Sequence, residues 1–400
     1  MESATAISYE LDDALAAAKE LVGQIKGRLD MRRNAVAILH GQPDMEIGRL
    51  SAAVSAGLGC HVVGGTAAAG AVLTNDGFHE LAVVLHVLTD DDCLFSAAIS
   101  GPMEADPEKE IRQTYKNARG GLMAQDPAAV PKLAICVAAN IEGYATDSGL
   151  EELSCACGGL PIFGYIAGDD FEFTKQKVFL DGEVGGERFA LLLIAGNISP
   201  IFQVENLAGK QTLEKKLVTK SYGNIIYEID GKPAFEYLKD FPFIDDETKA
   251  LYNYQFFVEM KNAADDDGAL VSRALHKFDR ESGAVVCFAN VPQGSHIGLR
   301  YCDGDDVAAT CENGLVEFNE KLKAAAGGYS YSTVLIVTCS LRNMFLADRK
   351  ETEGNLAKEL LPPSLSVSGL YCFGEIAPTS ARGGKAVNRF HNATFTACAF

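Results

Sequence analysis

No stretch of the 400 residues is apolar for long enough to cross a bilayer as a helix. The longest uninterrupted runs, such as residues 189–195, fall far short of the ~18 residues a span needs. The opening ten residues lack a basic segment followed by an apolar one, so no leader is expected and the chain reads as cytoplasmic. Positive charge is scarce as well. With 35 Lys and Arg against 54 Asp and Glu, the formal net charge is −19, which argues against a nucleic-acid or anionic-membrane partner, since both require clustered cations. Metal-ligand patterns are missing too. Cys155 and Cys157 have no nearby His, and the acidic turns Asp303-Gly-Asp-Asp306 and Asp265-Asp-Asp-Gly268 lack the spacing and terminal Glu of a calcium loop. The glycine-rich stretches lack the Gly-Lys-Ser/Thr ending of a phosphate loop, so neither a metal nor another cofactor is expected. The 11 cysteines are odd in number and sit mostly in apolar strands, such as Cys136, Cys287 and Cys398, which favours buried thiols over disulfides.

What the chain does have is a hydrophobic content of 48 %, enough for a well-cored globular protein, and a pattern that recurs. Three stretches read alike, each an apolar strand broken by glycine: His61-Val-Val-Gly-Gly-Thr66, Leu160-Pro-Ile-Phe-Gly-Tyr-Ile-Ala-Gly-Asp-Asp170 and Ser368-Gly-Leu-Tyr-Cys-Phe-Gly-Glu375. An apolar strand and a helix precede each one, and a hairpin and a long apolar strand follow. In the first unit the strand is 34–39, the helix 45–58 and the return strand 81–88, entered through Asn75-Asp-Gly77. In the second these are 133–137, 147–157, a hairpin at 178–184 and a strand at 188–195. In the third they are 334–338, a helical segment at 347–361 and a terminal strand at 390–400, with Gly383-Gly384 as the loop. The expected fold is therefore α/β: repeated strand-helix-strand-hairpin units forming mixed sheets flanked by helices, in two sub-domains.

Around this frame, residues 1–33 read as an N-terminal helix, with its apolar stripe over 9–26, and Asp106-Pro107 opens a helix that joins the first unit to the second. The texture changes after Phe241, where an acidic stretch at 245–247 and a block of strands over 256–301 are inserted. The expected division is an N-terminal helix at 1–33, one domain at 34–232 and a second at 233–400.

Four short motifs occur together and in order: Asp230-Gly-Lys-Pro-Ala234, Cys339-Ser-Leu-Arg342, Phe373-Gly-Glu-Ile-Ala377 and His391-Asn-Ala-Thr394. With the Gly-Gly-Thr of the first unit, they make the chain resemble the FIST family of sensory domains, its N-terminal part running to about residue 232 and its C-terminal part beyond. The resemblance implies a cytosolic input module that senses a small ligand, with amino acids or similar polar metabolites as the proposed class, and it does not imply catalysis. Such modules are often fused to output domains. No such segment is legible here, so a separate signalling protein is the expected partner.

Ligands in α/β sheets settle beyond the carboxyl ends of strands, which directs attention to the loops there. Gly65 and Thr66 offer backbone N–H groups and a hydroxyl to a carboxylate, unless the glycines serve only turn geometry. Asp169, beside Gly168, and Asp170 suit a ligand ammonium, or else form a solvated turn. Arg342 has the fork for a bidentate carboxylate contact, the alternative being a salt bridge to Glu375. His391 and Asn392 are adjacent on an alternating strand, so at most one of them enters a given pocket. The expected ligand set is thus Gly65, Thr66, Gly168, Asp169, Cys339, Arg342, Glu375, His391 and Asn392. A rival reading makes Cys339 the nucleophile of a thiol enzyme, with His391 as base and Glu375 as orienter. If the three turns converge, Thr66, Asp169 and Glu375 would share one composite site.

Overall fold

The computed structural model describes residues 1–239, 254–259, 270–325, 327, 329–380 and 386–400. Residues 245–247, the Asp265 turn and Gly383-Gly384 lie outside the described residues. The first unit runs β1 (Glu2–Ser8), α1 (Ala14–Arg28), β2 (Asn34–Gly41), α2 (Ile47–Leu58), β3 (His61–Thr66), β4 (Ala71–Thr74), β5 (Gly77–Glu80) and β6 (Val83–Asp90). The second runs β7 (Leu94–Ile99), α3 (Pro107–Gln125), β8 (Pro131–Ala138), α4 (Thr146–Ala156), β9 (Ile162–Ile166), β10 (Val178–Leu180), β11 (Glu183–Gly185) and β12 (Phe189–Ala195). The third opens with β13 (Ile201–Asn206) and is then interrupted by β14 (Lys210–Gln211), β15 (Lys216–Tyr222), β16 (Ile225–Ile229), β17 (Lys232–Pro233), β18 (Tyr254–Glu259), β19 (Leu270–Asp279), β20 (Ala284–Cys287) and β21 (His296–Tyr301). It resumes with α5 (Gly304–Ala325), β22 (Thr333–Cys339), α6 (Ser340–Leu346), α7 (Thr352–Leu360), β23 (Ser366–Cys372), β24 (Gly374–Ser380), β25 (Ala386–His391) and β26 (Thr394–Ala399).

The three units form three six-stranded sheets of one design: β1-β6-β2-β3-β10-β11, β7-β12-β8-β9-β24-β25 and β13-β26-β22-β23-β4-β5. In each, the central pair (β2/β3, β8/β9, β22/β23) is parallel and the outer pairings are antiparallel. The last two strands always come from another unit. The hairpin of unit 1 completes the sheet of unit 3, that of unit 2 completes unit 1, and that of unit 3 completes unit 2. The inner sheet faces then meet in one shared core, with Val36 and Ile38, Ile135 and Val137, and Leu335 and Val337 drawn from the three sheets in turn. Helices cover the outer faces, α1 and α2 on the first, α3 and α4 on the second, α5 and α7 on the third. The inserted strands make a separate eight-stranded sheet with its own core around Val218, Phe256, Val271 and Leu299.

Several local readings shift. The first 33 residues hold a strand as well as a helix, and β1 pairs with β6 along its whole length. The expected return strand 81–88 is not the partner of β4: β5 (77–80) closes the hairpin, and beyond Leu81, whose φ is +50°, the chain crosses to another sheet as β6. The terminal strand likewise breaks at Asn392-Ala393, with Ala393 at φ +53°, and its halves β25 and β26 belong to different sheets. In both places it is the hairpin exchange that requires the break. The helical segment 347–361 becomes α7 preceded by α6, so Arg342 stands in a helix rather than a loop.

Gly64 and Gly164 lie inside strands, not turns, and Gly369 is their counterpart in β23. Each is in register with the parallel neighbour, Leu39, Cys136 and Ile336 respectively. A Cβ on these glycines would stand 1.9 Å from the Leu39 carbonyl oxygen, 1.8 Å from that of Cys136 and 2.6 Å from that of Ile336. Backbone cannot yield to this as a side-chain tip can. We expect Gly164→Ala to destabilise the protein by about 3 kcal/mol or more in urea unfolding, at the upper end of overpacking costs. Gly23→Ala in α1, where nothing lies within 4 Å, should be neutral or stabilising by up to about 1 kcal/mol. Equal stabilities for the two variants would refute the packing argument.

Candidate functional site

A cavity of about 240 Å³ opens at the carboxyl end of β22. Its floor is Cys339, Ser340 and Leu341, and Asn392 stands at its side, on the turn between β25 and β26. Phe373, the single residue between β23 and β24, closes one wall. The inserted sheet supplies Ala274, Leu275 and His276 from β19, with Phe288 just past β20. The loop after β9 lays Phe171 and Phe173 over the opening.

That loop is built by Asp169. The carboxylate is fully buried and accepts four backbone N–H bonds, from Glu172 and Phe173 on Oδ1 and from Thr174 and Lys175 on Oδ2, at 2.8–3.1 Å. These four bonds on one carboxyl group hold Phe171 and Phe173 at φ +63° and +59°, a region side chains seldom occupy. Both rings remain partly exposed, at 36 % and 44 %. They form an aromatic cluster: Phe173 stacks on Phe373 with centroids 4.5 Å apart and lies at 23° to Phe288 at 6.1 Å, while Phe171 is 5.6 Å from Phe373.

Of the nine expected ligand residues, Cys339 and Asn392 line this cavity. The others are used inside the scaffold. Thr66 donates its hydroxyl hydrogen to the Gly168 carbonyl and accepts from the Lys177 N–H, latching unit 1 to the loop of unit 2. A Cβ on Gly65 would meet Val137 at 2.7 Å and one on Gly168 would meet the Ala68 nitrogen at 2.5 Å, so neither faces open space. Arg342, fully buried, pairs with Glu353 of α7, not with Glu375: Nε and Nη2 donate to Oε1 at 3.0 and 2.8 Å, and Nη2 also reaches the Val307 carbonyl and the Thr310 hydroxyl. Thr338 and Tyr371 donate to the other Glu353 oxygen. His391 places Nε2 3.1 Å from the Ala377 carbonyl oxygen, and burial pushes its pKa down to about 3. With that bond made elsewhere and its protonated form disfavoured by burial, the ring is poorly suited to take a proton from Cys339. The composite site also dissolves. The glycine register makes Thr66 the counterpart of Ile166 and Tyr371, while Glu375 belongs to the hairpin strand β24.

Glu375 forms a neutral cluster behind the cavity floor. Burial pushes its carboxyl up to about 8, against the hydrogen bonds it accepts from the Thr394 N–H and the Cys372 thiol. Burial and the adjacent Glu375 raise the Cys339 thiol well above its ordinary range, so it is not an activated nucleophile. Ser340 is 4 % exposed and lines the cavity. Asn392 donates from Nδ2 to the His391 carbonyl, and its Oδ1 receives a long 3.4 Å contact from the Ala274 N–H. Sequence reasoning missed the aromatic wall, although Phe171-Glu-Phe173 directly follows the Asp pair and Ser340 and Phe373 lie inside two of the quoted motifs.

Family models match the FIST N domain over residues 35–232 and the FIST C domain over residues 234–378. No curated protein matches the chain. Among solved structures, the crystal structure of cyanuric acid hydrolase from A. caulinodans is similar at 8 % identity and a TM-score of 0.36, covering 99 % of this chain and 98 % of that one. T. maritima PurL complexed with ATP is similar at 11 % identity and a TM-score of 0.21, covering 100 % and 70 %. Likenesses at these scores carry no argument.

The Glu375 cluster has a signature in stability. The folded carboxyl titrates near 8 and an unfolded one near 4.3, so between those values the folded state holds the extra proton and stability falls as pH rises. Glu375→Gln removes this slope of at most about 1.4 kcal/mol per pH unit. Urea unfolding of both proteins from pH 6 to 8.5, taken as a difference, cancels the histidines and thiols they share. Parallel stability curves would refute the raised value.

Proposed function

The chain belongs to the FIST family, and on that premise we propose that it is a sensory protein whose small-molecule ligand occupies the cavity between Cys339, Phe173 and Phe288. The observation that carries this reading is the open, aromatic-walled cavity itself, on which Ser340 and Asn392 offer polar groups beside Phe171, Phe173, Phe288 and Phe373. Concave, mostly apolar pockets with a few polar groups are where small molecules bind. The walls come from both sides of the proposed division at 34–232 and 233–400, so an occupant touches both parts. The cell compartment is proposed to be the cytoplasm, and the signal to pass to a separate protein. Of the amino-acid-like ligands the family resemblance implies, the lining suits the uncharged portion, because Asp169 and Arg342 are consumed by the scaffold. The thiol-enzyme reading gains no support from a thiol pushed up by burial or from an imidazole bonded elsewhere.

A ligand that binds only the folded state stabilises it by roughly 2.7 kcal/mol at a hundredfold excess over Kd. A thermal-shift panel of amino acids, organic acids, nucleotides and neutral ring compounds should therefore contain at least one class that raises Tm. Ser340→Ala and Phe173→Ala should each diminish that rise. A well-folded sample that is silent across the panel would count against a sensory site.

A further inference from the structure

The same cavity also specifies a class of ligand, an argument that rests on its being the sensory site. No lining side chain carries a charge at neutral pH. The two candidates are His276, whose pKa burial lowers, and Cys339, whose thiol burial raises. Of the strong cations next to the lining in sequence, Lys277 is exposed, and the two arginines are committed elsewhere. Arg342 is bound to Glu353. Arg273, next to Ala274, donates to the carbonyls of Asn290, Ser272 and Phe390 and faces Asp147 at 3.5 Å. An ammonium or carboxylate brought into this lining would lose its water and find no countercharge among the lining side chains, which disfavours a zwitterion.

The walls are flat. Phe173 is within 30° of parallel to both Phe288 and Phe373, and centroid separations of 4.5–6.1 Å across the three rings lie in the range where aromatic faces attract. The polar groups sit together on one side. The Ser340 hydroxyl and the Asn392 amide both line the cavity, and the Asn392 amide oxygen receives only a long 3.4 Å contact, so an edge with one donor and one acceptor can be met there. The volume fits as well. An apolar cavity of about 150 Å³ admits benzene, and this one, at about 240 Å³, leaves room for a second fused ring or a small substituent.

We propose that the ligand is an uncharged planar ring compound of one or two rings, a neutral heterocycle or fused aromatic, lying against Phe173, Phe288 and Phe373 with its polar edge on Ser340 and Asn392. It is distinguished from the parent amino acids by lacking their charged backbone. Phe171 and Phe173, fixed by the Asp169 loop, cover its outer face.

The chain contains no tryptophan, so the emission of indole can be read directly in its presence. Indole and nicotinamide, titrated into the full-length protein by fluorescence and by calorimetry respectively, should bind saturably. L-tryptophan and L-phenylalanine should bind about tenfold more weakly or worse. Phe173→Ala should weaken indole about fivefold and Ser340→Ala by a similar factor, with circular dichroism unchanged because Phe173 is partly exposed and Ser340 loses only a hydroxyl. L-tryptophan binding as tightly as indole would overturn the ring assignment while leaving a sensory site in place. Indole binding untouched by Phe173→Ala would overturn it by locating the site elsewhere. Silence from rings, amino acids, organic acids and nucleotides alike would overturn both the assignment and the sensory reading.

Discussion

The close approach of strands at Gly64, Gly164 and Gly369 is the constraint on which the architecture depends. Each glycine lies opposite a carbonyl of its parallel neighbour with no room for a Cβ, and each also pairs with a strand of a hairpin from another unit, at Phe179, Ile376 and Leu73. A β-carbon there would push apart the parallel pair through which the sheet accepts that hairpin. Three glycines therefore permit three sheets to be completed by exchange. The exchange makes the units interdependent, since no sheet has its full set of strands until a second unit has folded. Contacts of this kind join residues as distant in sequence as Leu73 and Gly369, and such non-local pairings raise the entropic cost of folding early.

The exchange also explains where the cavity lies. To leave its own sheet, each chain must break after the central parallel pair: at Ala67–Gly70 in unit 1, through the loop 167–177 in unit 2, and at the single residue Phe373 in unit 3. The break in unit 2 is long enough to carry two aromatic rings outward, and Asp169 supplies the hydrogen bonds that a loop in left-handed backbone cannot make for itself. The break in unit 3 is so short that Phe373 alone faces those rings. The insertion into unit 3 then places Phe288 against Phe173, with the His276 ring beside Phe288. The cavity is thus a product of unequal breaks in otherwise equivalent units.

The order of strands and helices was legible because apolar periodicity and turn chemistry report local structure, and in this chain the local elements are regular. Hairpin exchange was not legible: an apolar run such as residues 390–400 reads as one strand whether or not its halves serve two sheets, and only the unusual φ of Ala393 records the crossing. The motifs led to the right place through the wrong atoms. Cys339-Ser-Leu-Arg342 does border the cavity, but the conspicuous Arg342 turns inward to Glu353, and the plain Ser340 faces the space. Charged residues draw attention in a sequence because burying them is costly. For the same reason, a fully buried one must have a partner, which removes it from any ligand. Asp169 is the second instance, its four acceptor bonds all filled by its own loop.

The cavity walls are joined to the rest of the molecule by what lies behind them. Ala274, Leu275 and His276 line it from β19, and the residue before them, Arg273, joins three parts of the molecule: its own strand and Asn290 in the insertion, the Phe390 carbonyl in unit 3, and Asp147 in the first turn of α4. Asp147 in turn accepts from the Asn290 N–H, two residues beyond Phe288. A displacement of β19 or Phe288 by an occupant would have to be accommodated by this buried ion pair. Buried ion pairs do not stretch gradually, because each increment of separation exposes uncompensated charge in a medium of low polarity. The Arg273–Asp147 pair thus ties the β19 wall of the cavity and the chain after Phe288 to the first turn of α4 and to the Phe390 carbonyl.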